Sequence, residues 1–89
     1  MTQDSTYRND SAMVEAKVIE MLKVVLNCAE VAPEDDFFFL GGDSLKAVEF
    51  MLAVEETFGI AFDPVAILEQ PTAKGLATVI FDALTEAPA

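Results

Sequence analysis

Six residues, Leu40-Gly41-Gly42-Asp43-Ser44-Leu45, constrain the fold of this chain more than any others. Two glycines let the backbone turn sharply and approach a bulky group closely. Asp43 is a good helix N-cap, and the run from Ser44 to Phe58 contains neither Gly nor Pro until Gly59. The spacing therefore predicts a helix that begins at Ser44 and exposes its hydroxyl in the first turn. The chain contains no histidine to activate that hydroxyl, so the serine reads as a site of modification rather than a nucleophile.

At 89 residues the chain holds one small domain, near the lower limit for folding without a metal or disulfides. A single cysteine, Cys28, rules out an internal disulfide, and with no histidine there is no Cys/His zinc cluster. Stability must come from packing, and a hydrophobic content of 53% against 24% charged supports a folded core despite a net charge of -11. The acidity is concentrated: Glu30, Glu34, Asp35, Asp36, Asp43, Glu49, Glu55, Glu56, Asp63 and Glu69 face a single cation, Lys46, between residues 30 and 69. Nucleic acid and anionic membranes are thereby disfavoured as partners, and proteins with basic docking patches are favoured through steering. Glu34, Asp35 and Asp36 lack the spacing of a calcium loop and read as a solvated acidic turn. No metal site is expected.

The stretch from Met1 to Asp10 is polar and lacks the apolar segment of a secretory signal or anchor, and no apolar run approaches membrane-spanning length. A cytoplasmic, monomeric protein is expected, with short tails over residues 1–11 and 85–89 around a domain at 12–84.

Between those tails the periodicity predicts four helices. The first runs from Ser11 or Ala12 to Cys28, with Val14, Val18, Met21, Leu22 and Val25 on one face and Lys17, Glu20, Lys23 and Asn27 on the other. A long connection from Glu30 to Gly42 follows, for which Phe37, Phe38 and Leu40 are the candidate anchors. The second helix is Ser44 to Phe58. Asp63-Pro64 opens a short third helix through Leu68, Gln70-Pro71 ends it, and Thr72 caps a fourth to Leu84 with Leu76, Val79, Ile80 and Ala83 inward. The fold class is all-α: a small four-helix bundle with a short third helix and a long loop between helices one and two.

The second helix carries more apolar surface than one core face requires. At about 100° per residue, Ala47, Phe50, Met51, Val54 and Phe58 form a stripe suited to the core. Leu45, Val48 and Leu52 form a second stripe, rotated away and beginning beside Ser44, with Glu49 and Glu56 along its outer side. An apolar strip rimmed by carboxylates has the character of a transient docking surface. The alternative is that the long loop or the third helix buries it. Phe39 has the same two readings, a core position or an exposed partner contact, whereas Cys28 reads as a small buried hydrophobe.

A serine nucleophile needs a base and an oxyanion hole. Gly42-Asp43-Ser44-Leu45-Lys46 is not the Gly-x-Ser-x-Gly elbow of the hydrolases, and Lys46, two helical positions on, points about 200° away from Ser44. A helix N-terminus instead favours a phosphate, because its unpaired N–H groups and dipole attract negative charge.

The ordered series Phe38-Phe39-Leu40-Gly41-Gly42-Asp43-Ser44-Leu45-Lys46-Ala47 resembles the prosthetic-group attachment site of acyl and peptidyl carrier proteins. The resemblance continues through Glu55-Glu56-Thr57-Phe58-Gly59-Ile60 and Leu68-Glu69-Gln70-Pro71-Thr72. It implies the bundle of the acyl carrier protein type. It also implies that a phosphopantetheinyl transferase attaches 4'-phosphopantetheine from coenzyme A to Ser44, with Asp43 contributing to recognition and Gly41 and Gly42 admitting the arm. The chain is then a non-catalytic carrier of acyl or aminoacyl thioesters. Its partners are an adenylation or other acyl-loading enzyme and downstream synthase, condensation, acyltransferase or tailoring enzymes, which Leu45, Val48, Glu49, Leu52, Glu56 and Phe39 are expected to meet.

Within that family, Gly42 and Lys46 resemble peptidyl carriers of nonribosomal synthesis more than fatty-acid carriers, which tend to have alanine and aspartate there, while the acidity resembles free-standing acyl carriers. A discrete carrier of nonribosomal peptide or polyketide-type specialised metabolism, of the kind that makes antibiotics, reconciles the two. The competing readings are a fatty-acid-type carrier and an unmodified acidic interaction module in which Ser44 only begins a helix.

Overall fold

Asp10 starts the first helix, α1 (Ser11–Leu26), by accepting the N–H groups of Ala12 and Met13 on its carboxylate at 3.0 and 3.3 Å. The computed structural model describes residues 10–86, so most of the tail expected over residues 1–11 and the last three residues of the one over 85–89 lie outside the described residues. The helix ends at Leu26, two residues earlier than the periodicity predicts. Asn27 adopts a left-handed conformation (φ 56°), and the Cys28 N–H turns back to the Lys23 carbonyl at 3.0 Å. Asparagine is one of the few side chains that tolerates this conformation, which makes it an effective helix stop.

The second helix, α2 (Ser44–Phe58), has the predicted bounds: Asp43 caps its start, and Gly59, at φ 71°, closes it through a 3.0 Å bond to the Glu55 carbonyl. α3 (Val65–Glu69) is a single short helix. Pro64 already has helical dihedrals, and Asp63 supplies the cap by accepting the Val65 N–H at 2.9 Å. α4 (Ala73–Glu86) begins where Thr72 Oγ1 accepts the Gly75 N–H at 3.0 Å. It extends two residues past the expected end at Leu84, because buried Leu84 holds the last turn in place.

The four helices form an all-α bundle in which α1 packs on α4 and on α2, and α3 closes against α4. The core is continuous and contains no buried polar side chain among the described residues. On α1, Val14, Val18, Met21 and Leu22 are buried as the pattern requires, and Val25 is half-buried. On α4 the buried set is Ala73, Leu76, Ala77, Ile80 and Leu84, with Val79 and Ala83 displaced to half-buried flanks.

The loop between α1 and α2 is tied down rather than loose. Its N-terminal half meets the start of α4 where the Lys74 N–H bonds to the Pro33 carbonyl at 2.9 Å. Farther on, Asp36 pairs with Thr72 in an isolated antiparallel bridge, and the Phe37 N–H reaches the Pro71 carbonyl at 2.7 Å. The Phe37 ring is fully buried, edge-on to Phe38 at 5.2 Å and tilted against Phe50 at 6.4 Å, and Phe50 meets Phe62 edge-on at 5.8 Å. Burial of one such ring contributes about 1.5–3 kcal/mol. Of the three expected anchors, Phe37 carries this role, Leu40 is half-buried and Phe38 remains partly exposed.

Candidate prosthetic-group attachment site

Ser44 is the first residue of α2 and is exposed, as its position after Asp43 predicts. Asp43 Oδ1 accepts the Lys46 N–H at 2.9 Å and the Asp43 carbonyl accepts the Ala47 N–H at 2.8 Å. These two bonds leave the N–H groups of Ser44 and Leu45, at the positive end of the helix dipole, for an incoming anion.

Gly41 and Gly42 serve different purposes. Gly41 sits at φ 104°, in open space, where the requirement is conformational. Gly42 is packed so closely that a Cβ there would lie 2.3 Å from Phe37 Cε2 and 2.7 Å from the Phe37 carbonyl oxygen. A hydrogen bond from the Gly42 N–H to that same oxygen, 2.9 Å long, closes residues 38–41 into a tight loop directly ahead of Asp43 and Ser44.

The adjoining acidic turn is more structured than its sequence suggests. Asp35 accepts the Ala32 N–H at 2.8 Å, and Asp36 Oδ1 accepts the N–H groups of both Phe38 and Phe39 at 2.8 and 3.1 Å. The Asp36 bonds, to backbone two and three residues on, are the usual chemistry of a turn, and the Asp35 bond closes the same turn from the other side. They are the residues that a reading of this stretch as merely solvated charge overlooks.

The second stripe of α2 is open to solvent: Leu45 is 69% exposed, Leu52 56% and Val48 42%. Glu49 and Glu56 are exposed beside it, while Glu55, on the other side, folds back to accept the Phe62 N–H at 3.0 Å. Phe39 is 91% exposed, which decides between its two readings in favour of solvent. Beside Ser44 a groove of about 260 Å3 opens between Phe38, Ala47 and Val48 on one hand and Pro64, Val65 and Leu68 on the other. Cys28 is only half-buried, its Sγ directed to the carbonyls of Leu26 and Leu40 at 3.7 and 3.8 Å.

An accessible hydroxyl, a helix N-terminus with N–H groups left over and an apolar groove alongside fit a long group attached through a phosphodiester. Among the described residues, no cluster of His, Cys, Asp and Glu is arranged to hold a metal ion, and no helix is long and apolar enough to cross a membrane.

Comparison with known proteins agrees with this geometry. The family described as "Phosphopantetheine attachment site" matches residues 16–80. Tyrocidine synthase 3 of Brevibacillus parabrevis is 39% identical over 64 residues, 72% of this chain and 1% of the synthase. Gramicidin S synthase 2 of Aneurinibacillus migulanus is 36% identical over 80 residues, 90% of this chain and 2% of the synthase. The chain thus spans only a minute part of the length of these relatives.

Among solved structures, BlmI, a type-II acyl carrier protein of Streptomyces verticillus involved in bleomycin biosynthesis, superimposes with a TM-score of 0.81 at 27% identity, covering 84% of this chain and 90% of BlmI. A chain in the complex of the phosphopantetheine transferase Sfp with coenzyme A and a peptidyl carrier protein gives 0.73 at 31% identity, covering 75% of this chain and 87% of that one. With the fold, the family match over most of the chain and these similarities in agreement, the protein belongs to the phosphopantetheine-attachment family of carrier proteins.

Proposed function

We propose that this protein is a non-catalytic carrier, built from residues 12–84, that receives its phosphopantetheine arm on Ser44 Oγ from a phosphopantetheinyl transferase. The observation that carries this assignment is the exposed Ser44 hydroxyl at the capped start of α2, beside an apolar groove. When attached, the arm supplies a terminal thiol on which an acyl or aminoacyl group is held. The chain's own residues present the hydroxyl, position the helix dipole and keep the attachment point clear of the core. Asp43 Oδ1 accepts the Lys46 N–H and the chain has no histidine, so we assign the base that removes the Ser44 proton to the transferase. The test is intact mass after incubation with coenzyme A, magnesium and Sfp: a gain of one phosphopantetheine supports the assignment, and no gain on folded protein overturns it.

We further propose action in trans, from a cytoplasmic pool, in nonribosomal peptide or polyketide-type biosynthesis, with loading and downstream enzymes docking on Leu45, Val48 and Leu52 between Glu49 and Glu56. Support comes from the exposure of this stripe and from the net charge of -11, which favours encounter with basic surfaces. Leu52→Asp is expected to weaken productive docking, measured as a raised KM for loading by the cognate enzyme. Its melting temperature should stay within about 3 °C of wild type, because surface substitutions cost only about 0.5 kcal/mol.

A further inference from the structure

Phe39 combines two properties that seldom occur together: a phenyl ring 91% exposed to water and a backbone held firmly in place. Its N–H and that of Phe38 share Asp36 Oδ1, Asp36 itself is bridged to Thr72, and the loop carrying the ring is closed by the bond from Gly42 to Phe37. The preceding ring, Phe38, is stacked edge-on against buried Phe37. An aromatic side chain displayed on a fixed backbone binds with little ordering cost, the property that makes aromatic residues frequent anchors of interfaces.

We infer that Phe39 is the anchor by which the phosphopantetheinyl transferase engages this carrier, its ring entering an apolar socket on the transferase rimmed by Lys and Arg. The inference rests on the attachment of the arm at Ser44. Charge specifies the rim: Asp36, Asp43, Glu34 and Asp35 flank the ring in sequence, and Lys46 is the only cation between residues 30 and 69. Position specifies the enzyme. The Phe39 loop is closed against the residues immediately before Ser44, so a protein whose chemistry occurs at Ser44 Oγ must approach it. Enzymes acting on cargo work at the far end of the arm and have no such requirement.

The experiment measures initial rates of loading by Sfp, at saturating coenzyme A and magnesium, across carrier concentrations for wild type, Phe39→Ser and Phe39→Leu. Loading of the wild type tests the attachment reading, and the variants test the anchor. Phe39→Ser should raise KM about 30-fold with kcat within two-fold, the scale of an interface hot spot. Phe39→Leu should recover part of the loss, and added salt should raise the KM of wild type and Phe39→Ser by similar factors. Melting temperatures of all three should agree within about 3 °C. An unchanged KM, or a fall in kcat alone, overturns the anchor while leaving attachment intact. So does a wild-type dimer abolished by Phe39→Ser, which assigns the ring to self-association.

Discussion

Ser44→Ala should abolish the mass gain on treatment with coenzyme A and a phosphopantetheinyl transferase while leaving the melting temperature unchanged or slightly raised. The separation of the two effects follows from how α2 begins. Asp43 performs the capping, through its carboxylate to Lys46 and its carbonyl to Ala47. Ser44 is exposed and already helical, and there alanine is favoured over serine by a few tenths of a kcal/mol. On the proposed attachment, the hydroxyl therefore supplies the point of modification and no measurable stability. An unmodified interaction module gives the opposite pattern, with no mass gain on either protein and full partner binding by both. A Ser44→Ala variant that still gains one arm moves attachment to another hydroxyl, and a melting temperature several degrees lower means that Ser44 helps to hold α2.

The parts of this fold that depend on neighbours in sequence were legible from the sequence. α2 has the bounds its sequence predicts because Asp43 and Gly59 are both strong local signals and nothing between them interrupts the helix. α1 ends before the apolar spacing predicts although the signal is in the sequence: Asn27 enters the left-handed region, and a pattern of apolar spacing does not register that. On α4 the spacing places Val79 and Ala83 inward, whereas the buried series is Ala73, Leu76, Ala77, Ile80 and Leu84, which includes two alanines that hydrophobicity alone does not single out. Three consecutive phenylalanines carry no periodicity at all. Phe37 is inside and Phe39 outside because the loop registers against Pro71 and Thr72, more than thirty positions away in the chain. The site divides in the same way. The serine and its cap are readable, and angles alone separate the second stripe of α2 from the core face, but that neither the loop nor α3 covers it is read from the structure. The groove depends on how α3 lies beside α2, and the bonds of Asp36 that stiffen the loop depend on the turn's actual conformation.

The second large effect is expected at Gly42, and it comes from space rather than chemistry. Gly42→Ala places a methyl group 2.3 and 2.4 Å from two ring carbons of Phe37 and 2.7 Å from the Phe37 carbonyl oxygen. The ring has little freedom to retreat, since it is fully buried against Phe50 and Phe38, and the carbonyl is fixed by the N–H of Gly42 itself. Overpacking of this kind costs about 1–3 kcal/mol, so the melting temperature should fall by roughly 8–16 °C for a mid-range cost of about 2 kcal/mol. Gly41→Ala meets no atom within 4 Å and suffers only the strain of its φ of 104°, which predicts the smaller loss of the pair. Phe37→Leu alone is destabilising because it empties part of the core, yet it also vacates the space into which the new methyl points. The double variant should therefore be more stable than the two single losses added together, a coupling readable by denaturant titration in a double-mutant cycle. Strict additivity, or a Gly42→Ala variant no less stable than Gly41→Ala, would remove Phe37 as the reason for glycine at this position. The coupling has a functional side. Phe37 and Gly42 together set the loop that delivers Asp43 and Ser44 to the start of α2, so restoration of packing in the double variant should bring back loading by the transferase along with stability.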